Sequence, residues 1–129
     1  MALVLLIDDD PAIRRVVRVR FEHHGHTVVE ADSAFQALDM LKTPPAPDAV
    51  VCDIVMPGMT GIEFYRQLVA RVPRLHHRVV FLTAVNRDPI IHRDVEQLGV
   101  PLLSKLDDLQ LVVDAIRVAL LRPLDPETP

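Results

Sequence analysis

One ten-residue stretch constrains this chain more than any other: AVVCDIVMPG, from Ala49 to Gly58. Its apolar part is too short for a helix, too apolar for a loop, and rich in β-branched Val and Ile. It is read as a buried strand with Asp53 at its C-terminal end. Pro57 and Gly58 then turn the chain. In open α/β sheets, ligands bind beyond the carboxyl ends of the strands. Asp53 is therefore expected to be the reactive group, with the other polar strand-end residues converging on it.

The rest of the chain repeats the pattern. Ala2–Ile7 is a second continuous apolar run, as a buried parallel strand requires. It ends at Asp8–Asp9–Asp10–Pro11, where an acid caps a helix and Pro11 fits the first turn. Ile13, Val16, Val17 and Phe21 recur at helical spacing, with Arg14, Arg15, Arg18 and Arg20 on other faces. Gly25 closes that helix, and Thr27–Val29 is a short strand. Ser33 caps a second helix with Phe35, Leu38 and Leu41 as its apolar positions. Pro44, Pro45 and Pro47 force a loop.

After Asp53, a third helix is expected over about 62–72, with Ile62, Leu68, Val69 and Val72 inward and Pro73 as its stop. Residues 74–78 read as a polar connector, and Val79–Leu82 as a fourth strand ending at Thr83. Asp88–Pro89 opens a fourth helix, with Ile91, Val95 and Leu98 inward and Gly99 at its end. Val100–Leu103 is a fifth strand followed by Ser104–Lys105, and Leu106–Arg122 is the last helix. Five strands alternating with five helices imply right-handed βαβ crossovers and a parallel sheet. Residues 1–122 are expected to form one domain, and 123–129 a Pro-rich tail or linker.

Composition excludes several classes. A net charge of −4 and a pI near 5.8 argue against direct nucleic-acid binding by the whole domain. The single Cys52 rules out an intrachain disulfide and is expected to be an inert core residue. No stretch approaches the ~18 consecutive apolar residues of a membrane span. Met1–Ile7 lacks a basic n-region and a cleavage site, so a cytoplasmic domain away from membranes is expected. The histidines, including His23–His24–His26 and His76–His77, match no zinc-site spacing.

Four strand ends carry polar residues: Asp8 and Asp9, Asp53, Thr83 and Lys105. In a parallel sheet these ends share one edge. Carboxylates crowded together repel, and each has a raised pKa unless a cation joins them. Few hard oxygen ligands suit Mg2+, which keeps several of its waters. A Lys and a Thr at the same edge suit the oxygens of a phosphoryl group, and a carboxylate can itself be the nucleophile that forms an acyl-phosphate.

This arrangement resembles the receiver domain of two-component response regulators over about residues 2–121. The resemblance is carried by Leu5–Pro11, Val51–Gly61, Leu82–Ala84 and Ser104–Lys105, above all by Asp53-x-x-Met56-Pro57-x-x-x-Gly61. It implies a flavodoxin-like (βα)5 three-layer sandwich with a parallel five-stranded sheet in order 2-1-3-4-5. It implies that Asp53 takes a phosphoryl group from a histidine kinase or a histidine phosphotransfer protein. Mg2+ would be held by Asp9, Asp53 and the Val55 carbonyl, with Asp8 on a metal-bound water. Thr83 would turn inward to a phosphoryl oxygen, Lys105 would pair with another, and small Ala84 would leave access. The domain would signal and would not be an enzyme beyond its own phosphorylation and dephosphorylation.

Three positions depart from the pattern that the resemblance sets. Leu102 stands where an aromatic ring usually moves with the Thr, so that coupling does not carry over. Leu106 stands where Pro usually follows the Lys in a cis bond; a cis bond before a non-Pro residue costs about 3 kcal/mol, so a trans bond and an altered loop are expected. Val55 and Val85 occupy positions that tune dephosphorylation, and neither can orient an attacking water. A long-lived phosphoryl group is expected.

In the last helix Leu109, Val113, Ile116 and Leu120 form an inward stripe, whereas Leu111 and Val118 fall opposite and Leu121 to one side. A one-sided surface helix is polar there. These residues are candidates for a partner surface, including a homodimer, on the fourth and fifth helices. Two other classes compete. One is a degenerate receiver that binds partners without phosphorylation, supported by Leu102 and Leu106. The other is a haloacid-dehalogenase-like phosphatase, which Asp8-x-Asp10 matches in part while Ala12 departs from its motif.

Overall fold

The computed structural model describes residues 2–84 and 88–122. The five expected strands are β1 (Leu3–Ile7), β2 (Thr27–Ala31), β3 (Ala49–Asp53), β4 (Val79–Thr83) and β5 (Leu102–Ser104). The helices are α1 (Pro11–His23), α2 (Ala34–Met40), α3 (Gly61–Arg71), α4 (Pro89–Leu98) and α5 (Leu109–Leu121). All strand pairs are parallel, in the order β2-β1-β3-β4-β5, which is the flavodoxin-like arrangement.

The continuous apolar strands divide their side chains between two faces with period two. Val4, Leu6, Val51, Val80 and Leu82 meet Val17 and Phe21 of α1 and Val112, Val113 and Ile116 of α5. Leu5, Ile7, Val50, Cys52 and Phe81 meet Ala37 and Leu38 of α2, Phe64 and Leu68 of α3, and Val95 of α4. Both sheet faces are thereby covered, and the central strands need no alternating polar residues.

Local chemistry sets the helix starts. The side chains of Asp10, Ser33, Asp88 and Asp108 each accept a backbone N–H in the first turn of α1, α2, α4 and α5. Thr60 and Glu63 close a capping box at α3, with Glu63 N–H on Thr60 Oγ1 at 3.1 Å and Thr60 N–H on Glu63 Oε1 at 3.2 Å.

Several sequence expectations need correction. Phe35 is 57% exposed because its ring leaves the core and lies over the 57–58 turn, where a Cβ on Gly58 would meet Phe35 Cε2 at 2.8 Å. Val16 is also exposed, since α1 presents Val17 and Phe21 to the sheet and turns Val16 to solvent. The 74–78 connector is not merely polar. Pro73–Leu75 forms a 3-10 turn that buries Leu75, and Arg78 is buried with its guanidinium donating to the carbonyls of Asp48 (3.3 Å) and Arg122 (2.9 Å). The last strand starts two residues late, at Leu102, and α5 starts at Leu109 because Asp108 caps it there. Residues 123–129, read as a tail, and Val85 lie outside the described residues.

Candidate functional site

Parallel register brings the four strand ends together. Ile7 pairs with Cys52, Asp53 with Leu82, and Thr83 with Ser104. Asp8 follows β1, Asp53 ends β3, Thr83 ends β4 and Lys105 follows β5. Asp8, Asp53 and Thr83 are buried, Lys105 is half-buried, and Asp9 is exposed.

The carboxylates of Asp8, Asp9 and Asp53 each offer an oxygen within 4.8 Å of the others. Lys105 Nζ lies 2.7 Å from Asp8 Oδ2, as an ionic contact, and donates to Asp53 Oδ2 at 3.0 Å. Asp53 Oδ1 accepts the Val55 N–H at 3.2 Å, and Asp8 Oδ1 accepts the Asp10 N–H at 2.9 Å. Three carboxylates against one ammonium leave two negative charges, the complement of a divalent cation. Hard oxygen donors of this number fit Mg2+, and these residues fit such an ion. Among the described residues, no other group of acids and histidines gathers in this way.

Burial is the main cause that pushes the Asp53 carboxyl up to about 6; the Asp8 charge raises it further, and the hydrogen bond from Lys105 works against both. Burial alone would lower the Lys105 ammonium, but its bonds to Asp8 and Asp53 outweigh that and raise it. Burial also pushes the Cys52 thiol well up, with the Asp53 and Asp8 charges adding to the effect. Cys52 is therefore no thiolate nucleophile, as expected.

Val55 is exposed beside Asp53, and Ala84 is exposed after β4. Leu102 is half-buried and packs with the cluster that holds Ile91, Val95 and Leu98 of α4. Pro44–Pro45 is the one cis peptide bond among the described residues, so Lys105–Leu106 is trans, as expected. The loop delivers Lys105 to both carboxylates. On α5, Leu111 is 48%, Val118 62% and Leu121 79% exposed.

Two supports escaped the sequence reading. Arg14 reaches back from α1 to donate to the Asp8 carbonyl at 2.6 Å, and its Nε pairs with Glu30 Oε1 at 3.0 Å. Arg18 holds the other Glu30 oxygen at 2.6 Å. The only signal was a charged residue, Glu30, on an otherwise half-buried strand. Gly61 is the second: its N–H binds the Ile54 carbonyl at 2.8 Å, and a Cβ there would collide with the Asp53 carbonyl oxygen and lie 2.9 Å from Ile54 Cα. Only glycine allows this approach under the Asp53 backbone.

An open α/β domain with an acid cluster and a lysine at its strand ends is a domain of the receiver type. The family described as response regulator receiver domain matches residues 4–117, and the chain belongs to that family. It is 30% identical to sporulation initiation phosphotransferase F of Bacillus subtilis, over 88% of this chain and 90% of that one. It is 33% identical to a Pseudomonas aeruginosa protein described as a transcriptional regulator, over 93% of this chain and 57% of that one. It is 40% identical to the response regulator MprA of Mycobacterium avium, over 50% of this chain and 28% of that one. It thus spans little more than half of one of these relatives and under a third of another.

Solved structures share the fold. A receiver domain protein from Clostridium thermocellum superposes with a TM-score of 0.82 at 25% identity, covering 93% of this chain and 94% of that one. The chemotaxis protein CheY4 of Vibrio cholerae gives 0.80 at 23% identity, covering 92% and 98%. Receiver domains are signalling domains and not classical enzymes; they bind Mg2+ at an acidic cluster and take phosphoryl groups from kinases or phosphotransfer proteins. No described helix is long and apolar enough to cross a membrane.

Proposed function

We propose that this domain is a phosphorylation-controlled switch in which Asp53 is the phosphoacceptor. The observation that carries this is the ammonium of Lys105 set 2.7 Å from Asp8 and 3.0 Å from Asp53, beside an acid cluster of divalent-cation size. An Asp53 oxygen attacks the phosphorus of a phosphohistidine on a histidine kinase or phosphotransfer protein. The P–O bond forms as the P–N bond breaks, and its electron pair returns to the imidazole.

Lys105 pairs with one phosphoryl oxygen and the Thr83 hydroxyl with another, offsetting the charge that develops. Asp9, Asp53 and the Val55 carbonyl would hold Mg2+, with Asp8 on a metal-bound water, and the ion would neutralise phosphoryl charge when bound. Exposed Ala84 leaves the approach open.

Residues 1–122 would be the working unit, in a cytoplasmic setting where such kinases present their phosphohistidines. The exposed apolar residues Leu111, Val118 and Leu121 of α5 would contribute to a partner or homodimer surface on α4 and α5. If the mass in solution is the same for the phosphorylated wild type and for Leu111→Glu with Val118→Glu, the dimer fails.

Acetyl phosphate or beryllofluoride with Mg2+ tests the main proposal. One modification, at Asp53 and lost in Asp53→Asn, is expected. Turnover of a free phosphoester would favour a haloacid-dehalogenase-like phosphatase. No response would favour a degenerate receiver that binds partners unphosphorylated.

A further inference from the structure

In the family pattern a proline stiffens the chain just after the lysine; here Leu106 follows, on a trans bond, and is 88% exposed. Lys105 nevertheless reaches two buried carboxylates. A lysine side chain gives up rotamer entropy to be held in this way, so the backbone that launches it must itself be fixed.

Residues 104–107 supply that fixing. The Asp107 N–H donates to the Ser104 carbonyl at 3.1 Å, which closes a four-residue turn. The Asp107 carboxylate returns the bond, with Oδ2 accepting the Ser104 N–H at 3.2 Å. Ser104 Oγ accepts the Leu106 N–H at 3.1 Å. Lys105 N–H is tied to the Thr83 carbonyl of β4 at 2.9 Å. Every backbone N–H from Ser104 to Asp107 therefore has a partner in the turn or on β4. The cap of α5 is Asp108, not Asp107: Asp108 Oδ1 accepts the Gln110 N–H at 2.9 Å.

We propose that Asp107, with Ser104, is a positioning residue for Lys105: their reciprocal backbone clip does the work that proline does elsewhere in the family. The clip acts through Lys105 and touches neither Asp53 nor the phosphoryl group. Its use in phosphorylation rests on the function proposed above; its effect on Lys105 does not.

The test compares Asp107→Ala, Asp107→Asn and Asp108→Ala with wild type in the full chain. Asp107→Asn keeps an oxygen to accept the Ser104 N–H. Asp108→Ala removes an acid from the same helix start without touching the clip. The first readout is the 15N NMR signal of the Lys105 ammonium at fixed pH, assigned by its loss in Lys105→Arg. The second is the rate at which acetyl phosphate with Mg2+ labels Asp53.

Asp107→Ala is expected to lose the resolved ammonium signal and to label at least about tenfold more slowly, since small misplacements of a charge-bearing group cost that much or more. Asp107→Asn and Asp108→Ala are expected to keep both, with Asp108→Ala showing only a lower melting temperature. If Asp107→Ala keeps both at wild-type levels, or if Asp108→Ala loses as much as Asp107→Ala, the clip is overturned. If the ammonium signal behaves as expected while wild type takes no label, the phosphoacceptor function fails and the clip stands.

Discussion

Arg14 Nη1 sits 2.6 Å from the carbonyl oxygen of Asp8, and this bond ties the acidic loop to the first helix. Glu30 on β2 holds the guanidinium from the other side at 3.0 Å. The loop that presents Asp8 and Asp9 is thus fixed by a charge-assisted bond to its backbone, independent of any cation bound by its carboxylates. Such bonds contribute about 1.5–3 kcal/mol.

Arg14→Met is expected to lower stability by roughly that amount. It is also expected to weaken Mg2+ binding about fivefold, the equivalent of ~1 kcal/mol. Arg18→Met shares the loss at Glu30 but leaves the Asp8 carbonyl bonded, so its Mg2+ affinity should stay at the wild-type level. Titration calorimetry with MgCl2 distinguishes the two; equal affinities for Arg14→Met and wild type would contradict the positioning role.

Asp53 carries a cost in the metal-free protein. Its carboxyl is raised by burial from 3.8 in the unfolded chain to about 6 in the fold. The fold then binds the proton more tightly than the unfolded chain does. Stability from this group is therefore greatest below pH ~4 and declines as pH rises through about 6. At pH 7 without Mg2+ the charged form costs up to about 3 kcal/mol, because a tenfold change in proton affinity between folded and unfolded chain corresponds to about 1.4 kcal/mol. Asp53→Asn should raise the melting temperature at pH 7 in EDTA, and the gain should vanish near pH 4. Added Mg2+ should stabilise wild type more than the variant. A lower melting temperature for Asp53→Asn at pH 7 in EDTA would sink this account.

Gly61 is a third test, because its constraint is steric. A Cβ would be driven into the Asp53 carbonyl and against Ile54 Cα, both of them backbone atoms that cannot rotate away. Gly61→Ala should cost about 2 kcal/mol or more, beyond the usual loss from overpacking by one methyl, because the strand end must shift. Urea unfolding followed by far-UV circular dichroism measures it. A variant as stable as wild type would mean that the loop re-forms at no cost.

The fold was legible because every strand but β2 is an apolar run ended by a polar residue, and such runs cannot be amphipathic surface helices. The cluster was legible for a related reason: Asp8, Asp53, Thr83 and Lys105 each stand at the point where burial ends. What was not legible were contacts that cross the chain without periodicity. Arg14 looks like one of several solvent-facing arginines until β2 places Glu30 beside it. Phe35 has the spacing of a core residue, but α2 is only 7 residues long and begins where the ring can lie over Gly58 instead. The 104–107 clip depends on a turn that no motif announces, and its polar residues read from sequence as the start of a helix.

Val55 offers the last test, on the lifetime of the phosphoryl group. Its side chain is exposed beside Asp53, while its N–H holds Asp53 Oδ1 at 3.2 Å. Hydrolysis of an acyl-phosphate here needs a water aligned behind the phosphorus, and an isopropyl group offers that water neither a donor nor an acceptor. The backbone bond, and with it the orientation of Asp53, survives any substitution except proline. Val55→Asn therefore changes what faces the water and little else. Labelled wild type is expected to lose its phosphoryl group over minutes to hours, and Val55→Asn several times faster at the same pH and Mg2+ concentration. Decay followed by phosphate-affinity gel electrophoresis gives both half-lives. A wild-type half-life of seconds, shorter than that of Val55→Asn, would show that the water is held by some other group.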